Sequence, residues 1–137
     1  MALLLFELAR RMTGISQTGY QGGSMGDAAV LKPKDAAAIA DFVRKIRTQL
    51  QPYVLDLKLF GSKATGRDVE ESDIDVLVVV DHKTPALEDR VLDIAFDVNL
   101  AHEVYISPRV IGKAVLDDPV WSITPFLRHI AVEGVAL

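Results

Sequence analysis

The 137-residue chain contains no cysteine, which excludes disulfides, thiolate zinc sites and cysteine nucleophiles, and is compatible with a reducing cytoplasm. It lacks an excess of positive charge: 15 Lys and Arg stand against 19 Asp and Glu, for a formal charge of -4. The sequence-independent affinity for nucleic acid comes from neutralising phosphates, so direct DNA binding is not expected and any nucleotide contact must be local. Long hydrophobic runs are missing as well. The longest, Ala2 to Phe6 and Val76 to Val80, fall far short of the roughly 18 residues that a membrane span needs. Arg10 and Arg11 follow the first run instead of preceding it, which is the reverse of an export signal. The expectation is a cytoplasmic chain with no membrane partner. Half the residues are nevertheless hydrophobic and a quarter charged, the balance of one globular domain. A domain of this size can bury about two-thirds of the surface its unfolded chain exposes.

Along the chain, residues 1–34 are an N-terminal helix and a glycine-rich linker: Ala2 to Met12 can form a short helix, and five glycines follow between Thr13 and Lys34. The apolar start either docks on the domain or meets another subunit, in a homodimer or a hetero-oligomer. Residues 35–137 are the domain proper. Asp35 can cap a helix running to about Gln51, with Ile39, Phe42, Val43, Ile46 and Leu50 at helical spacing. Tyr53 to Phe60 alternates as a strand with one wet face, and Gly61 stops it. Ile74 to Val80 is apolar at every position but Asp75, as a central strand covered on both faces should be. Thr84 and Pro85 start a helix to about Ala101, Val104 to Ile111 is a third strand, and Thr124 to about Val132 is a last helix. The one tryptophan, Trp121, is expected to pack over the core, His82, His102 and His129 to serve ordinary surface or core roles, and Arg109 and Arg128, which could reach a phosphate or a partner acid, to be solvated. The order helix, strand, strand, helix, strand, helix describes an α+β (α/β) domain.

The chemistry lies in "FGSKATGRDVEESDIDVLVVV". Asp73 and Asp75 alternate on one strand, so both project from the same face with Cα atoms roughly 6.5 Å apart. Two carboxylates that close repel unless a cation joins them, and an oxygen-only pair suits Mg²⁺ or Mn²⁺, held by carboxylates together with substrate phosphates. Ten residues upstream, Gly61 lets the backbone approach a phosphate closely and Ser62 adds a hydroxyl donor. A Gly-Ser pair, a ten-residue gap and Asp-x-Asp should arise by chance on the order of once in a thousand chains of this length.

These residues resemble the signature of the DNA polymerase β-like nucleotidyltransferase superfamily, and the stretch from about Asp35 to Leu137, with its closing "TPFLRHIAVEGVAL", looks like the superfamily's minimal members. The resemblance implies the nucleotidyltransferase fold, a short mixed central sheet flanked by helices. It also implies a nucleoside triphosphate donor such as ATP, Mg²⁺ bound by Asp73 and Asp75, and nucleotidyl transfer to a hydroxyl. Gly61 and Ser62 match the phosphate-binding turn. Many relatives carry arginines where this chain has Lys63 and Thr65, so phosphate recognition falls to Lys63 or uses Arg67. The superfamily's third carboxylate sits on a neighbouring strand, where Glu103 is the acid on offer as a catalytic and metal-binding residue; Tyr105, on the same face, is the alternative. Only about thirty residues remain after the last strand, whereas small-molecule transferases of this kind usually add a second domain to build the acceptor pocket. The implied acceptor is a protein: AMP would be placed on a tyrosine of a HEPN-fold ribonuclease-type toxin, making this chain the antitoxin of a minimal nucleotidyltransferase pair. Two other readings remain: a module that neutralises its partner by contact alone, and a subunit of an antibiotic nucleotidyltransferase.

Overall fold

The computed structural model describes residues 31–65 and 73–137; the apolar start, the glycine-rich stretch and Arg67 lie outside them. Helix α1 (Pro33–Leu50) starts two residues before the expected cap. Proline stands at its beginning, where a missing N–H costs nothing, and Asp35 falls in the first turn, buried instead of capping. Strand β1 (Val54–Phe60) follows, then a single helical turn α2 (Ser62–Thr65), β2 (Ile74–Val80) and α3 (Pro85–His102). Thr84 caps α3 as its position predicts, its hydroxyl accepting from the Leu87 N–H at 3.1 Å. β3 (Ile106–Gly112), α4 (Lys113–Asp117), a 3₁₀ turn (Trp121–Ile123), α5 (Pro125–Glu133) and β4 (Val135–Ala136) complete the order. The expected elements are present. The short helix α4, the 3₁₀ turn and β4 are additions that too few residues announce, and Trp121 is exposed instead of covering the core.

The four strands form one mixed sheet in the order β3-β2-β1-β4. β1 and β2 pair antiparallel, β2 and β3 parallel, and β4 closes the far edge against β1. This is the α+β nucleotidyltransferase architecture that the resemblance implies. A register shift between Val54 and Asp56 turns Leu55 out to solvent despite its place in the apolar alternation.

Each face of β2 has its own neighbours. Ile74, Val76, Val78 and Val80 point to one side and pack with Leu57 and Leu59 beneath α1 and α3. Leu77 and Val79 point to the other and meet Ile130 of α5, with Phe60, Ile111 and Leu116 at the margin. Asp75 belongs to this second side, since strand residues alternate in direction. The two long helices therefore cover the face opposite the acidic pair.

Candidate active site

The sheet register determines what surrounds the acids. Asp75 pairs with Phe60 on β1 and with Ser107 on β3, and the Ile74 N–H donates to the Tyr105 carbonyl at 2.8 Å. Extending that parallel register by one residue sets Tyr105 level with Asp73. Arg109, opposite Leu77, lies one step further along the same face as Ser107.

Gly61 closes the site from the β1 side. Its φ of 76° is in the left-handed region, and a Cβ there would lie 2.5 Å from Asp75 Oδ2. Any side chain would meet both backbone strain and a collision with the carboxylate. The motif's glycine thus serves Asp75 as well as the turn. The Ala64 N–H donates to the Gly61 carbonyl at 3.1 Å, winding the chain at once into α2.

Lys63, the next residue but one, turns inward. Its side chain is only 3% exposed and donates to Asp35 of α1 at 2.9 Å. A charge so buried needs a partner at this distance; the ion pair ties the Gly-Ser turn to the first turn of α1. This contact supports the turn from behind.

Glu103 is the αL cap of α3, with φ 55°, an exposed side chain and a backbone N–H bonded to the Asn99 carbonyl. It stands in the link between α3 and β3, two residues ahead of Tyr105. The residues level with Asp73 and Asp75 are therefore Tyr105, just ahead of β3, and Ser107 on it. Asn99 fixes this link: its Oδ1 accepts from the Ile106 N–H at 2.7 Å and its Nδ2 donates to the Ile106 carbonyl at 3.1 Å. Sequence reasoning passed over Asn99 because a polar residue on a helix usually faces water.

Burial, and then the nearby Asp73 charge, push the Asp75 carboxyl above its ordinary value, while Arg109 acts in the opposite sense. Among the described residues neither aspartate's carboxylate makes a hydrogen bond or an ion pair. An oxygen-only pair whose mutual repulsion still outweighs the Arg109 charge fits a hard divalent cation. No group of three or more His, Cys, Asp or Glu gathers at one point among the described residues. Two protein ligands and nucleotide phosphates are the donor set that this chemistry favours.

Arg109 is exposed, as expected, and its guanidinium also stacks 5.0 Å over the Phe126 ring, while Phe126 meets Phe60 edge-on at 5.5 Å. The aromatic pair and the arginine form a wall beside Asp75. The alternation of β3 could have placed Arg109 on the Ser107 face, but only the register aligns that face with Asp75.

Residues 41–127 match the model of the nucleotidyltransferase domain. The chain is 33% identical over 101 residues to "Putative protein adenylyltransferase MJ0604" of Methanocaldococcus jannaschii, covering 73% of this chain and 94% of that one. It is 35% identical over 79 residues to "Putative protein adenylyltransferase MJ0141" of the same organism, covering 56% and 79% respectively.

Proposed function

The chain belongs to the nucleotidyltransferase domain family, and from that premise we propose that it moves AMP from Mg-ATP onto a tyrosine hydroxyl of a partner protein. The partner we infer is a HEPN-type toxin silenced by the modification. The observation that carries this reading is Asp75 at the mouth of β2, directly against the Gly61 turn, with the Asp73 charge two residues before it. The names of the two relatives support a protein as acceptor.

In the proposed reaction the acceptor oxygen attacks the α-phosphorus, the bond to the bridging oxygen of the β-phosphate breaks, and pyrophosphate leaves. Asp73 and Asp75 would hold a divalent cation, which when bound would supply the charge that lowers the pKa of the attacking hydroxyl and steadies the triphosphate. Gly61 lets the turn approach the phosphates, and Ser62 offers a hydroxyl donor. Lys63 and Asp35 hold that turn against α1. Arg109, aimed by Phe126, faces the same floor and opposes the negative charge gathered there. Labelled ATP with Mg²⁺ and the co-expressed partner tests the reading: label on the partner supports it, and a stable complex without label refutes it.

One observation favours a second reading, in which the chain neutralises its partner by contact alone. Tyr105, just ahead of β3, and Ser107 on it, neither of them a carboxylate, stand level with the two aspartates. A site with two acids would hold the acceptor-side cation less firmly. Complex formation that survives Asp73→Asn with Asp75→Asn, with no transfer by the unaltered chain, is its distinguishing result.

A further inference from the structure

Helix α3 is apolar on two sides. Leu87, Val91, Ile94, Ala95 and Val98 are buried against the sheet and α1. On the opposite side Leu92, Phe96 and Leu100 recur every fourth residue and are 46%, 62% and 66% exposed. Asp89, Asp93 and Asp97 recur at the same spacing and form a row beside them. Among the described residues none of these three carboxylates accepts an ion pair or a hydrogen bond.

Both rows cost the isolated chain stability. Like charges four residues apart on a helix repel, and three large apolar side chains aligned in water forgo the free energy of burial. Neither row serves the core or the active site. The row also has a direction: α3 runs back alongside the sheet, so Leu100 is nearest the end where the chain turns through Glu103 into Tyr105, level with Asp73.

We propose that this face is the docking surface for the acceptor protein, and that its occupant is an amphipathic helix of that protein with apolar residues at i, i+4 and i+8 and Lys or Arg along one flank. The apolar residues cover Leu92, Phe96 and Leu100, and the basic flank meets the aspartate row. An antiparallel second copy of α3 fits less well, because it would set acid row against acid row between chains of formal charge -4. The inference rests on the reading of a protein acceptor, and it adds where that protein is held before transfer.

The chain has no native cysteine, so Phe96→Cys places a single thiol at the centre of the row. Its reaction with N-ethylmaleimide, a neutral reagent, is followed in the full chain at low concentration. The probe is a synthetic helical peptide of about 20 residues, beyond the length at which isolated helices are marginal, with leucines at i, i+4 and i+8 and arginines along one flank. The expected result is a freely reacting thiol in the chain alone. At about ten times the peptide's Kd the reaction slows about tenfold, and it slows little with the same peptide bearing glutamates. Asp89→Asn, Asp93→Asn and Asp97→Asn together should abolish the difference. Equal protection by both peptides, or none by either, overturns the proposal. Protection in the chain alone overturns it too: independent of concentration it assigns the face to another part of this chain, and rising with concentration it assigns it to a second copy. No nucleotide takes part, so failure of AMP transfer leaves this result readable and tells against the enzyme reading alone.

Discussion

The two faces of β2 show how one seven-residue strand serves two purposes. Ile74, Val76, Val78 and Val80 lie under α1 and α3, all at most 1% exposed. The other face has Leu77 and Val79 covered by α5, but at its mouth Asp75 is partly exposed beside Gly61, Phe60 and Ser107. One face is optimised for packing. The other keeps two repelling carboxylates, a local cost to stability that is intelligible if a cation and phosphates occupy the mouth.

The contrast breaks most sharply with Asp73→Asn and Asp75→Asn together. Nucleotidyl transfer should fall by orders of magnitude in a single-turnover assay, while thermal melting in metal-free buffer stays unchanged or rises slightly, because a repulsive pair is neutralised. A steep drop in melting temperature would make the aspartates structural.

Lys63→Met should come next. Removing one partner of a buried ion pair leaves Asp35 uncompensated, at a cost of about 3–5 kcal/mol by denaturant titration. Leu57→Ala, on the helix-covered face, should cost about 2–5 kcal/mol through lost contacts and a cavity, with transfer per folded molecule unchanged. Equal loss of transfer would mean that the two faces are not separable.

Gly61→Ala should cost about 1–3 kcal/mol for the left-handed backbone alone. Because the new methyl presses on Asp75, it should also lower metal-dependent nucleotide binding in calorimetry; unchanged binding would place the phosphates away from this turn.

The smallest effect concerns Asp41 on α1. Burial raises its pKa, but hydrogen bonds from His102 and Arg44 and the charges of Lys45 and Arg44 outweigh burial and leave it below the ordinary value of 3.8. The folded state therefore binds this proton less readily than the unfolded one. The stabilisation is present above pH 3.8 and is lost as pH falls through the lowered folded value. Asp41→Asn should flatten the acid limb of stability against pH below that point; an unchanged limb would assign acid sensitivity to other carboxylates.

Much of the fold was legible because local rules act over a few residues. The apolar run of β2, the Thr-Pro start of α3 and the Gly-Ser, Asp-x-Asp spacing each state their structure within one segment. The start of α1 was misplaced because Asp35 resembles a cap, and only the distant Lys63 shows why it is buried. Leu55 broke the alternation because a register shift depends on the partner strand.

The sequence by itself determined that two carboxylates two residues apart stand at the start of a strand and that a glycine turn precedes them, since period and spacing are properties of the chain. Tertiary structure alone decided their company. Sheet register set Tyr105 and Ser107 level with the acids and Arg109 beyond them, brought Gly61 against Asp75, and α1 drew Lys63 inward. Those neighbours come from separate elements, and which of them meet depends on hydrogen-bonded pairing and core packing between distant segments, which no spacing along one segment encodes.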